Sequence, residues 1–261
     1  MDFSLDSKVT LITGGASGIG AGIADFFADH GARVVIADPD EEMGKAKSKS
    51  IIERGKESLF VKTDVGKTED VKKLIGEAVG KYGRVDVLIN NAGLQHVQPV
   101  DEFDEGKWDQ LISVMLRGTF LCTKYALPFM KSGGWGRVIN ICSIHGHVAS
   151  RFKSAYVSAK HAIVGFTKTV ALEVAESKIT INSICPSYVR TQLVERQIKA
   201  QAKTHGISGD EVIEKIMLAP MPQKEFVTVE EIGAIAAFLC SDYARHINGQ
   251  SILVDGGWTA Q

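Results

Sequence analysis

Three residues in the second half of the chain could together move a proton. Ser143, Tyr156 and Lys160 lie in the stretch "SIHGHVASRFKSAYVSAK" (143–160). Tyr156 and Lys160, at i and i+4, share one face of a helix. A tyrosine is a poor base near neutrality, with an ordinary pKa of ~10; a neighbouring ammonium favours the phenolate. Such a tyrosine can exchange a proton with a carbinol oxygen while hydride moves at the adjacent carbon, and a serine hydroxyl can orient the same oxygen. As an isolated Tyr-x3-Lys, however, the pair reads better as a core tyrosine beside an exposed lysine. The remainder of the chain has to supply a hydride acceptor and a scaffold.

The start of the chain offers a seat for that acceptor. "KVTLIT" (8–13) reads as a strand and runs into "TGGASGIG" (13–20), where Gly14, Gly18 and Gly20 follow a GxxxGxG spacing into a helix read over 18–30. A glycine-rich turn between strand and helix lets backbone N–H groups approach a phosphate, which the helix N-terminus also favours. The same glycines alone could make nothing more than a tight turn. Asp38 ends the second strand, 18 residues after Gly20. A carboxylate there accepts hydrogen bonds from an adenosine ribose diol and repels a 2′-phosphate, favouring NAD over NADP. Arg33, at the start of that strand, is too far back to offset the repulsion. Asp38 could instead cap the helix that begins in "PDEEMGKA". Asp64 and Val65 end the third strand, and Asn90 to Gly93 end the fourth.

The elements that position these groups alternate in a βαβα rhythm. "RVVIAD" (33–38), "SLFVKTD" (58–64), "VDVLIN" (85–90), "GRVINICS" (136–143), "ITINSICP" (179–186) and "SILVDG" (251–256) repeat the pattern of the first strand. They are Val/Ile-rich and not strictly alternating, as strands covered on both faces are. Helical stretches lie between them. The fold expected is therefore α/β, a doubly wound parallel sheet of about seven strands in a single domain over 1–261. Residues 188–225 are too long for a plain connection, charged and helix-prone, and broken at "THGISGD". They read as an inserted helical pair acting as a substrate lid, with a surface excursion or subunit contact as the plainer alternative.

Composition removes other classes. The chain has 261 residues and a formal net charge of -1, so no basic field invites nucleic acid or anionic lipid. No apolar run reaches the ~18 residues of a membrane span. The acidic start "MDFSLDSK" is unlike a signal peptide, and a cytoplasmic location is expected. Cys122, Cys142, Cys185 and Cys240 form no CxxC pair, so reduced core thiols are expected rather than a disulfide frame or metal site. Cys142 precedes Ser143 but follows the strand residues "INI", and reads as an inert buried thiol.

TGxxxGxG, then NNAG, then Ser-x12-Tyr-x3-Lys, in this order and spacing, resembles the short-chain dehydrogenase/reductase family along essentially the whole chain. The resemblance implies that Ser143, Tyr156 and Lys160 are catalytic. It implies cofactor contacts at Gly14, Ser17, Gly18, Ile19 and Gly20. Asp38, Asp64, Val65, Asn91, Ala92 and Gly93 would continue that surface, with Pro186, Val189 and Thr191 at its far side and Tyr156 and Lys160 reaching it as well. Homotetramers built on paired long helices are also implied, here through 111–130 and 157–175. One residue departs from the family pattern. "VMLRGTF" (114–120) has Met115 where an Asn usually helps hold a water for the proton relay, and Met cannot make the Asn hydrogen bonds.

Polar residues left over point to the substrate. Gln95, His145, Lys153 and Gln197 could converge on one small carboxylate beside the reacting carbon. Each also has a bland reading: an exposed loop charge for Lys153, a solvent-facing helix residue for Gln197, a helix-entry polar group for His145. Around them, "LQH", "SIHGHVAS", "KSAYVSAKH", "CPSYVRTQLVERQI" and "DGGWTAQ" resemble the family members that oxidise (R)-3-hydroxybutyrate to acetoacetate with NAD. There Gln95, His145, Lys153 and Gln197 would bind the carboxylate beside Ser143 and Tyr156, and Trp258 would close the pocket or, equally, pack in the core. "CPSYV" has Ser187 where Gly is usual. A 3-oxoacyl-thioester reductase, a sugar dehydrogenase and a non-catalytic NAD-binding protein share the scaffold; the first two have no anion for the cluster to meet, and only Met115 speaks for the third.

Overall fold

The structure is a computed structural model and describes residues 3–260, the side chains of residues 192, 193, 196, 200, 204 and 205 excepted. Seven strands form one all-parallel sheet: β1 (Val9–Thr13), β2 (Arg33–Asp38), β3 (Ser58–Lys62), β4 (Val87–Asn90), β5 (Gly136–Ile141), β6 (Ile179–Pro186) and β7 (Ser251–Val254). Their order is β3-β2-β1-β4-β5-β6-β7. The chain therefore reverses its winding between β1 and β4, and a crevice opens above the carboxyl ends of those two strands. The strands are a little shorter than the apolar runs suggest: β5 stops at Ile141 rather than Ser143, and β3 at Lys62 rather than Asp64.

Helices cover both faces. On one face α1 (Gly18–Asp29) and α9 (Val229–Cys240) pack Ile23, Phe27, Ile232 and Leu239 against Ile12, Ile36 and Ile89. On the other, α3 (Thr68–Tyr82), α5 (Gly118–Gly133) and α6 (Ser154–Glu173) meet Leu11, Val35 and Leu88 through Leu74, Leu121 and Val170. Successive strand residues thus feed opposite cores, which is why the strand sequences are apolar at nearly every position. The remaining helices are α2 (Glu41–Glu53), α4 (Glu105–Ile112), α7 (Gln192–His205) and the single turn α8 (Gly209–Val212). A π-helical turn, Ser113–Arg117, joins α4 to α5. A second, Ile213–Met217, follows α8.

Segment 188–225 has an apolar centre of its own. Val194 and Ile198 from α7 pack with Val212 and Met217, flanked by Tyr188 and Phe226. Its root is Thr191, whose hydroxyl caps α7 by accepting from the Val194 amide at 3.5 Å.

A chain of hydrogen bonds runs across the sheet below the crevice. Asn90 Nδ2 donates to Thr123 Oγ1 at 3.1 Å and Asn140 Oδ1 at 2.9 Å. Asn140 Nδ2 donates to Thr167 Oγ1 at 2.8 Å, which also meets Ser183 Oγ at 2.7 Å. The network ties β4, β5 and β6 to α5 and α6. Polar groups this deep depend on being paired, and within this network Asn90 Oδ1 is left without a partner. Asn140→Ala is expected to lower unfolding free energy by about 1–3 kcal/mol, seen as a lower urea midpoint with an unchanged slope; an unshifted midpoint would show the network to be dispensable.

Candidate active site

The crevice at the switch point is held closed at its base by backbone-directed bonds. Thr13 Oγ1 accepts from the amides of Asn91 and Ala92 at 3.0 and 3.1 Å. Asn91 Nδ2 donates to the carbonyls of Thr13 and Gly14, both at 3.0 Å. The glycine turn after β1 and the NNAG turn after β4 therefore form one unit. A Cβ at Gly20 would lie 2.2 Å from the Gly14 carbonyl oxygen, so only glycine lets α1 start this close to the turn. Ser17, at the N-cap of α1, makes no side-chain cap bond, which leaves first-turn N–H groups available to an anion.

Asp38 sits at the carboxyl end of β2. Its Oδ2 accepts from the Ala16 amide at 3.1 Å and its Oδ1 from the Asp40 amide at 3.0 Å. The helix cap that Asp38 could have made is made by Asp40, whose Oδ1 accepts from Met43 at 3.0 Å. Arg33, at the far end of the strand, pairs with Glu57 at 2.9 Å. Asp64 holds its own turn by accepting from the Gly66 amide at 3.0 Å.

The catalytic candidates meet at the start of α6. Ser143 lies two residues beyond β5, in extended backbone, and its Oγ accepts from the His145 amide at 3.1 Å. Lys160 is only 4 % exposed. Its Nζ donates to the Ile141 carbonyl at 2.8 Å and lies 5.5 Å from the centre of the Tyr156 ring. Gly146 permits this approach: a Cβ there would come within 2.9 Å of Cys142 Sγ and 3.1 Å of the Lys160 carbonyl oxygen.

One cleft of about 670 Å³ contains nearly all the residues singled out by sequence. Its lining includes Gly14, Ser17, Gly18, Ile19, Asp38, Asp64 and Val65. Asn91, Ala92, Gly93, Pro186, Val189 and Thr191 line it as well. So do Gln95, Ser143, His145, Lys153, Tyr156, Lys160, Gln197 and Trp258. Gly20 does not; its part is the close packing of α1. His96 stays outside, with Nε2 2.9 Å from Gln98 Oε1 and its ring against Phe103. Trp258 is no core residue: it stands edge-on to His145, with ring centres 6.2 Å apart, and 6.0 Å from Tyr188.

Met115 does not reach the cleft. It is fully buried against Leu111, Ala155 and Ala159, and its carbonyl accepts from Thr119 Oγ1 at 2.7 Å. Sequence reading missed Tyr188, Gln110, Ser113 and Val114, which also line the cleft. Tyr188 was visible in "CPSYV" beside Ser187. Gln110 comes from the last turn of α4, and Ser113 and Val114 from the π-helical turn that follows it, for which the sequence carries no signal.

The electrostatics are one-sided at the Lys153 end. Burial pulls the Lys153 pKa below the ordinary lysine value, and among the described residues its ammonium has no ion pair. Burial first, and Lys153 second, lower the His145 pKa to about 4. The buried Gln95 side-chain amide has an oxygen with no hydrogen-bond partner. Phe152, just before Lys153, adopts a left-handed backbone with φ of 65°, held by its carbonyl accepting from the Gln98 amide at 2.8 Å. Such a conformation is costly for a bulky residue, and here it forms the turn that delivers Lys153 to the cleft.

Comparison with known proteins agrees with this geometry. A family model described as enoyl-(acyl carrier protein) reductase matches residues 14–259. The chain belongs to the short-chain dehydrogenase/reductase family. Among its short-chain dehydrogenase relatives, D-beta-hydroxybutyrate dehydrogenase of Rhizobium meliloti is 46% identical over 98% of this chain and 100% of that protein. The protein of the same name from Cupriavidus necator is 42% identical over 98% of this chain and 100% of its own. A 3beta-hydroxysteroid dehydrogenase of Mediterraneibacter gnavus is 37% identical over 97% of this chain and 95% of its own. As a member of this family the chain is an oxidoreductase that uses a nicotinamide cofactor. No described helix is long and apolar enough to cross a membrane.

The depressed His145 pKa has a consequence for stability. The unfolded chain, with a histidine pKa of 6.5 against about 4 when folded, binds the extra proton between those values. Stability present above pH 6.5 is therefore lost as pH falls toward 4. His145→Gln is expected to flatten that part of the curve of urea midpoint against pH; parallel curves for variant and wild type would assign the loss to other groups.

Proposed function

We propose that the protein oxidises (R)-3-hydroxybutyrate reversibly to acetoacetate, with NAD as the cofactor. The observation that carries this reading is the half-buried, unpaired Lys153 ammonium in the same cleft as Ser143, Tyr156 and Lys160. A buried cation without a counter-ion is unfavourable, and a substrate carboxylate supplies one. Gln95, His145 and Gln197 add polar partners around it, and the anion in turn favours the protonated His145 ring. The names of the two hydroxybutyrate relatives support the same substrate.

In this reading, Gly14, Gly18, Asp38, Asn91 and Thr191 would hold a nicotinamide cofactor, which would supply the hydride acceptor for the carbinol carbon. Tyr156 Oη takes the hydroxyl proton as general base. Ser143 Oγ orients the carbinol oxygen. Lys160, fixed by the Ile141 carbonyl with its Nζ 5.5 Å from the centre of the Tyr156 ring, stabilises negative charge on the tyrosine side of the proton transfer. Asp38 faces the adenosine end and repels a 2′-phosphate, so NAD is preferred. The segment 188–225 acts as a lid, bringing Gln197 onto the carboxylate and excluding water. Trp258 and Tyr188 wall the apolar side of the pocket. Exposed Phe120 and Phe129 on α5 and Leu172 on α6 support assembly into a homotetramer through those helices.

Initial rates with NAD or NADP and each enantiomer of 3-hydroxybutyrate test the proposal directly. Turnover is expected with NAD and the R acid; absence of turnover with either acid, while NAD binds, would remove the substrate assignment. Tyr156→Phe is expected to cut kcat by about 10²–10⁴-fold with NAD affinity unchanged, and unaltered turnover would exclude the tyrosine as base. Lys153→Ala and Gln197→Ala are expected to raise KM for hydroxybutyrate far more than KM for NAD. Equal effects on both constants would refute the carboxylate site.

A further inference from the structure

Two cysteines lie beneath the catalytic group and take no part in the chemistry above. Cys142 directly precedes Ser143, and Cys185 directly precedes Pro186. The β5–β6 register pairs Ile141 with Ile184, and the Cys142 amide donates to the Ile184 carbonyl at 2.8 Å. The next residues across the two strands are Cys142 and Cys185. Adjacent strands run ~4.8 Å apart, inside the Cα separation of ~4.4–6.8 Å that a disulfide spans. Both side chains enter the same small apolar cluster, with Ala155, Ala159 and Ile163.

Their surroundings differ from those of the other cysteines. All four cysteines are buried, but Cys122 and Cys240 sit in the two main cores, away from the cleft, where burial pushes both thiols up to about 12. Cys142 lines the cleft. Its thiol donates to the Lys160 carbonyl at 3.3 Å. Hydrogen bonding from Cys185, helped by the Lys160 ammonium, outweighs burial and lowers the Cys142 pKa to about 7. Cys185 is correspondingly held as the thiol. Its sulfur lies 3.7 Å from His147 Nε2, within reach for a proton to pass between them.

We propose that Cys142 and Cys185 form a hydroperoxide-responsive pair, Cys142 being the residue oxidised and Cys185 the one that converts it to a disulfide. The Cys142 thiolate attacks one peroxide oxygen: an S–O bond forms, the O–O bond breaks, and the departing hydroxide or alkoxide takes a proton from water. Cys142 is then a sulfenic acid. The Cys185 sulfur attacks the Cys142 sulfur, forming S–S and breaking S–O. The displaced hydroxide and the Cys185 proton, passed through His147, leave as water. The two sulfurs together lose two electrons, and the peroxide gains them.

The test is treatment of the purified chain with hydrogen peroxide, followed by denaturation, counting of free thiols and peptide mapping by mass. Of the four cysteines, two are expected to be lost to a bridge joining the peptides of Cys142 and Cys185, and dithiothreitol is expected to restore all four. In Cys185→Ala, dimedone is expected to trap a sulfenic acid at Cys142, with no bridge. Four surviving thiols at peroxide levels that oxidise free cysteine would overturn the proposal. So would oxidation mapped to Cys122 or Cys240, or a Cys185→Ala chain that dimedone leaves unlabelled. Mapping of the wild-type chain decides the matter even where a variant fails to fold.

Discussion

An ammonium buried to 4 % exposure has to be hydrogen-bonded or it costs several kcal/mol, and the Lys160 bond to the Ile141 carbonyl meets that demand. The bond is possible because the β5–β6 ladder ends its regular pairing at Ile141. The chain then turns at Ser143, and Gly146 lets that turn touch α6. Tyr156, one turn before Lys160 on the same helix face, is placed by the same contact. The geometry of strand, turn and helix is thus one solution to the problem of burying a single charge.

Lys153, seven residues earlier, meets the opposite fate. Nothing in the described protein neutralises it, and the left-handed backbone at Phe152 is retained to deliver it. Favourable folding alone would have selected an exposed lysine there. Of the two lysines lining the cleft, one is satisfied by the protein itself and the other is left without a counter-charge among the described residues. The stitched turns after β1 and β4 make a further region, rigid and rich in backbone N–H groups, between them and Asp38.

Much of this was legible in the sequence. The strands were, because a sheet covered on both faces demands apolar residues at every position, and the switch-point residues were, because glycine and Asn-Asn-Ala-Gly turns serve few other purposes in that order. Gln95, His145, Lys153 and Gln197, scattered over a hundred positions of sequence, line the same cleft. Other features were not readable. Asp38 and Asp40 are alike in type and two residues apart, and only the backbone decides which one caps α2. Trp258 could be assigned to core or pocket equally until its contacts with His145 and Tyr188 were known. Met115 looked like a lost polar contact; its side chain fills a small core behind the cleft instead. The cysteines looked alike, because strand register, which sets Cys142 against Cys185, is a property of two segments and not of either one.

Segment 188–225 carries its own apolar centre, Val194, Ile198, Val212 and Met217, separate from the two cores that hold the sheet. Substitutions inside it are felt mainly within the segment, since contacts rather than sequence proximity transmit packing strain. The part of the molecule that contributes Gln197 can therefore drift in sequence, length and shape while the sheet and the catalytic helix stay as they are. Divergence in what such a chain accepts can accumulate in this one excursion, leaving the proton-transfer apparatus untouched.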